Sequence, residues 1–92
     1  GPGLRIAAKR WQPMSTDYRP IPCQMYAELE IVIMHQVRIR MAWQTRQGRT
    51  RLEQVLPVDL RTREHEEFLL AEDSHGQPLE VRLDRITRFT PV

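Results

Sequence analysis

The sequence predicts a small, mostly β domain of the α+β class, with one N-terminal helix leading into about five short antiparallel strands. Three observations predict it. The hydrophobic period changes from three-to-four residues before position 37 to two residues after it. Turn-forming clusters cut the second half into short pieces. The chain has 92 residues, enough for one modest core and no more.

The elements follow in order. Asp17-Tyr18-Arg19-Pro20-Ile21-Pro22 is held extended, because each proline fixes its own φ and biases the residue before it away from the α region. From Cys23 to about Gln36, Tyr26, Leu29, Ile33 and Val32 share one apolar face of a helix, with Gln24, Ala27, Glu28 and Glu30 mainly on the other. The run Ile31-Val32-Ile33-Met34 is β-branched enough to suit a strand. The good helix formers from Gln24 to Glu30 decide for helix.

Val37, Ile39, Met41 and Trp43 then alternate with Arg38, Arg40, Ala42 and Gln44, giving a half-buried strand. Thr45-Arg46-Gln47-Gly48-Arg49 turns the chain, and Thr50 to Val55 returns. Pro57 implies an edge or a bend, with Val58-Asp59-Leu60 continuing before a polar loop, Arg61 to His65. Glu67 to Glu72 forms the third strand, and Asp73 to Pro78 is a turn. Leu79, Val81 and Leu83 alternate in a fourth strand, and Ile86 to Phe89 adds a fifth. Strands this short expose edges unless the sheet closes, so the pattern points to a small, highly bent barrel of the Sm-like kind.

Residues 1–13 stand apart. Gly1-Pro2-Gly3 resembles a protease-cleavage remnant, and Met14-Ser15-Thr16 reads like a natural start. The segment is expected to be an artificial leader, or else a disordered basic arm, before a single domain over residues 14–92. It matters for charge. The chain has 14 Lys and Arg against 12 Asp and Glu. The leader holds Arg5, Lys9 and Arg10 and no acid, so from Met14 onward the balance is 11 against 12. Global charge therefore gives no support to nucleic-acid binding.

No apolar run reaches the ~20 residues of a membrane-spanning helix, and the single cysteine, Cys23, permits no internal disulfide. Both fit a soluble cytoplasmic protein. Cys23, His35, His65 and His75 lack the short spacings of a zinc ligand set, so no metal is expected. Glu64-His65-Glu66-Glu67 lacks the paired histidines of a zinc hydrolase. The sequence contains neither a glycine-rich phosphate loop nor a nucleophile elbow. Neither an enzyme nor a cofactor is expected.

Two charge features remain. Arg38, Arg40, Arg46, Arg49 and Arg51 lie on one hairpin and form either a solvent face, a polar partner surface or an RNA-binding surface. Glu64, Glu66, Glu67, Glu72 and Asp73 form an acidic series that solvates the domain or meets a basic partner.

Particular residues in order go further. Tyr18-x-Pro20-Ile21-x-Cys23-x-x-Tyr26-x-x-Leu29-Glu30 resembles the opening of the Rho-binding antiterminators, the Rof family. Arg82-Leu83-Asp84-Arg85-Ile86-Thr87-x-Phe89 resembles their closing strand. The resemblance runs from about Asp17 to Phe89. It implies an Sm-like barrel preceded by a helix, acting as a monomer that binds the transcription termination factor Rho near its primary RNA-binding sites and blocks RNA loading. The contact surface it implies comprises Gln24, Met25, Tyr26, Glu28 and Glu30 on the helix, with Arg63, Glu64 and His65 in the loop. This chain departs from the family where acids follow the cysteine and the tyrosine: it has Gln24, Met25 and Ala27 there. Its helix start is less acidic, so electrostatic steering toward a basic surface is weaker. An Sm-like RNA-binding module using the five hairpin arginines, and an adaptor for another protein, are the alternatives.

Overall fold

The computed structural model describes residues 18–92, and the segment expected to be a leader, residues 1–13, lies outside the described residues. Helix α1 (Cys23–Met34) is followed by β1 (Ile39–Gln44), β2 (Thr50–Arg63), β3 (Glu66–Glu72) and β4 (Pro78–Arg82). One 3₁₀ turn (Leu83–Arg85) then leads into β5 (Ile86–Pro91). All pairings are antiparallel, and the strands are ordered β4-β3-β2-β1-β5. The helix and five antiparallel strands are those expected from the change of period.

Three expectations are corrected. First, the ladder does not close: β4 and β5 are edges with one neighbour each. Instead, the 14-residue β2 is shared by two half-sheets, pairing with β1 through Val55 and with β3 from Leu56 onward. Pro57, which lacks an N–H to give to a ladder, marks the changeover. The register slips between Pro57 and Asp59, leaving Val58 as an exposed bulge.

Second, Arg61 to His65 is not a loop. Arg61, Thr62 and Arg63 continue β2 opposite Phe68, Glu67 and Glu66, so the connection shrinks to Glu64 and His65. Both sit at positive φ, 51° and 67°, the left-handed pair that matches the twist of a two-residue hairpin. Polarity alone hid this strand end, since nothing on it is buried. Third, β4 stops at Arg82, and Leu83 and Asp84 turn through the 3₁₀ segment. Leu83 keeps its expected place in the core.

The core is continuous. Leu29 and Val32 of α1 meet Ile39, Met41 and Trp43 of β1, Val55 of β2, Leu69 of β3, Val81 of β4, Leu83 of the 3₁₀ turn and Ile86 of β5. Leu29, Ile39, Met41, Val55, Leu69 and Leu83 are wholly removed from solvent. Each such side chain contributes about 1.5–3 kcal/mol by leaving water. Tyr18, Ile21, Met25 and Tyr26 pack partly buried against the same cluster, so the extended lead-in belongs to the fold. The five-residue turn after β1 depends on Gly48, whose φ of +84° favours glycine.

Candidate protein-interaction surface

Helix α1 begins without a side-chain cap. Pro22 stands at the N-cap, its carbonyl accepting the Tyr26 N–H at 3.1 Å, and the first turn holds no acid. The five helix residues implied by the resemblance do not share one face. Gln24 and Glu28, one turn apart, are exposed on the open side. Met25 and Tyr26 are half-buried against the core. Glu30, exposed, lies about 200° around the helix from Glu28, because each residue advances about 100°. It flanks Tyr26, whose phenol is pushed above its ordinary pKa first by burial, then by the charges of Glu67 and Glu30.

Two residues on the open face were absent from the expected set. Ile31 is 54% exposed and Met34 is 73% exposed, and with Ala27 they continue the line of Gln24 and Glu28. A helix apolar on both sides is a better sign of a partner than an isolated exposed leucine. The β-branched run Ile31 to Met34 carried that signal, which served in the sequence only to weigh helix against strand.

The turn residues are placed unequally. Arg63 is already engaged: its guanidinium lies 4.4 Å from the centre of the Phe68 ring and forks onto Glu80 with bonds of 3.1 and 3.2 Å. Glu64 and His65 are exposed at the hairpin tip. Glu66 and Glu67, next along β3, face a charged network. Tyr18 donates its hydroxyl hydrogen to Glu67 Oε1 at 2.8 Å. Arg82 donates to Asp84 through Nε at 2.7 Å and Nη2 at 3.0 Å, and to Glu66 at 3.4 Å. Asp84 Oδ2 also accepts the backbone N–H of Arg19 at 3.1 Å. Tyr18 is pushed well above its ordinary pKa, first by burial, then by the hydrogen bond and charge of Glu67, with Asp84 adding to it.

The arginine hairpin is built differently. Arg38, Arg40, Arg46 and Arg49 are exposed, and among the described residues no carboxylate lies within ion-pair distance of them. Arg51 pairs with Glu53 and lies 5.3 Å from the Trp43 ring centre. Trp43 itself is buried, as the alternation required, and offers no open stacking face. The expected acidic series is dispersed. Glu72 is exposed at the end of β3, while Asp73 closes the next turn by accepting the N–H groups of His75 and Gln77. Those backbone bonds, that from Gln77 first, hold its carboxyl below the ordinary range.

Between the β1–β2 turn and β4 lies a cleft of about 490 Å³, lined by Arg46, Arg63, Glu64, Phe68, Glu80 and Arg82 among others. It contains neither histidine nor cysteine. Among the described residues no group of three or more His, Cys, Asp or Glu side chains is placed to hold a metal ion. No described helix is long and apolar enough to cross a membrane.

The family model for modulators of Rho-dependent transcription termination (ROF) matches residues 20–92. The chain belongs to the ROF family. Its role is therefore a regulatory one, in Rho-dependent termination. No curated protein matches the sequence. Among solved structures, proteasome accessory factor B/C (PafBC) of Arthrobacter aurescens superposes with a TM-score of 0.69 over 83% of this chain, at 20% identity. This chain spans 13% of that one, and the likeness concerns the fold alone.

Proposed function

We propose that this ROF-family protein inhibits termination by binding the Rho protein beside its primary RNA-binding sites, so that RNA cannot load. The observation that carries the reading is the family match over residues 20–92. The placement of the candidate residues supports it. Gln24 and Glu28 are open on α1, and Glu64 and His65 are open at the hairpin tip. A surface made for single-stranded RNA is basic and aromatic, so carboxylates at Glu28, Glu30 and Glu64 complement it in place of phosphates. Ile31 and Met34 supply apolar area that compensates for the weakly acidic helix start. The protein acts as a monomeric, non-catalytic domain in the cytoplasm.

The test is a complex formed without RNA. Purified protein and Rho, mixed and sedimented, are expected to migrate together. The double charge reversal Glu28→Lys with Glu30→Lys is expected to weaken the complex about tenfold or more. Unchanged affinity in that variant would move the contact off the helix, and no complex with the parent protein would end the reading.

A second reading, direct RNA binding through Arg38, Arg40, Arg46, Arg49 and Arg51, is favoured by the absence of carboxylate partners for the first four among the described residues. It requires RNA affinity that falls steeply with salt and is lost when those arginines become glutamine.

A further inference from the structure

The helix and the hairpin tip lie well apart in the sequence, yet one network links the segments that adjoin them. On the helix side, Tyr18 and Arg19 belong to the extended lead-in that Pro20 and Pro22 pass straight into α1. On the tip side, Glu66 and Glu67 follow Glu64 and His65 without an intervening residue. The Tyr18 hydroxyl reaches Glu67, and the Arg19 N–H reaches Asp84. Arg82 bridges Asp84 to Glu66 and lies 5.8 Å from the centre of the Tyr18 ring. The side chains of Arg82 and Asp84 are each only 12% exposed, so their bond is well shielded from water and salt.

We propose that Tyr18, Arg82 and Asp84, acting with Glu66 and Glu67, are positioning residues that hold helix α1 and the Glu64–His65 tip in one fixed relation, so that both meet the partner as a preformed surface. The proposal rests on the Rho reading above. It accounts for two sequence features that function had not absorbed, Tyr18 ahead of the prolines and Arg82-Leu83-Asp84 near the end. Leu83 serves the core. Arg82 and Asp84 on either side of it serve the network. The 3₁₀ turn at Leu83–Arg85 is what brings Asp84 back beside Arg82, since in a continued strand two residues apart lie on one face about 6–7 Å along it. Preorganisation of this kind raises affinity by removing the ordering that binding would otherwise require.

The variants are Tyr18→Phe, which keeps the ring and removes one bond, and Asp84→Asn, which keeps the shape and removes the charge. Each is compared with Ile39→Val, a core variant whose loss of stability is spread through the sheet. Rho affinity is expected to fall about threefold in Tyr18→Phe and about tenfold in Asp84→Asn, with Ile39→Val close to the parent. Asp84→Glu is expected to recover part of the loss. In the free protein, amide exchange across α1 is expected to accelerate in both network variants while the β1–β2 amides stay protected. Equal affinity losses in the network and core variants, or helix exchange unchanged in both network variants, would overturn the proposal. If the parent protein does not bind Rho, the Rho reading fails, and the exchange measurement alone decides whether the network holds the helix.

Discussion

Two sets of arginines in this molecule do different work, although Arg46 of one set lines the same cleft as Arg63 and Arg82 of the other. In the first set, the clasp, Arg63 forks onto Glu80 and stacks on Phe68, and Arg82 is shared by Asp84 and Glu66. On the hairpin, Arg38, Arg40, Arg46 and Arg49 extend into solvent with no carboxylate at hand among the described residues. A guanidinium that is held by two acids has spent its charge on geometry, and what it offers a partner is the shape it maintains. A free guanidinium offers charge and little shape. Under the proposed function the clasp builds the Rho-binding surface and the hairpin arginines mainly keep the domain soluble.

The largest effect should come from breaking the clasp. Arg82→Ala removes the cation shared by Asp84 and Glu66 in a largely shielded site and is expected to cost about 2–3 kcal/mol of stability, read by urea unfolding. A loss as small as that of a hairpin arginine would show that the paired and unpaired arginines are equivalent after all. Next comes the hairpin tip. His65 holds a φ of 67° that glycine adopts without steric cost, so His65→Gly is expected to gain about 0.5–1 kcal/mol while weakening Rho binding. A gain in stability with Rho affinity untouched would mark the tip as strained for no reason related to the partner.

A smaller effect is confined to alkaline solution. The folded state raises the Tyr18 pKa above 10, so it favours the neutral phenol. The associated stability is fully present below pH 10 and is lost as the pH climbs toward the raised value. The stability margin of the parent over Tyr18→Phe is therefore expected to shrink as the pH rises above about 10, measured by urea unfolding at each pH. A constant margin would remove the phenol's proton from the clasp. Smallest of all, Arg40→Ala is expected to change stability by no more than about 0.5 kcal/mol and to leave the Rho complex intact.

The same contrast explains what the sequence could disclose. Burial writes a period, so Leu29, Ile39, Met41, Trp43, Val81 and Leu83 stood out wherever apolar residues recur at helical or strand spacing. Arg61 to Arg63 form a strand with every side chain exposed, and no period marks them. Strand length alone suggests a closed sheet, whereas the sharing of β2 between two half-sheets turns on its change of partner between Val55 and Leu56, which no short motif marks. The clasp was invisible for another reason. Its members lie up to 66 positions apart, from Tyr18 to Asp84, and short motifs report only neighbours. The candidate surface was legible in its charged members and not in Ile31 and Met34, because exposed apolar residues look in sequence like core.

The most direct test is competition on Rho itself. A labelled C-rich RNA bound to Rho is followed by fluorescence anisotropy as the protein is added, in parallel with the Glu28→Lys, Glu30→Lys variant. The account predicts that the parent protein releases the RNA from Rho and that the double variant does so only at about tenfold higher concentration or more. Release by both proteins alike, or RNA that stays on Rho while the parent protein is in excess, would contradict it.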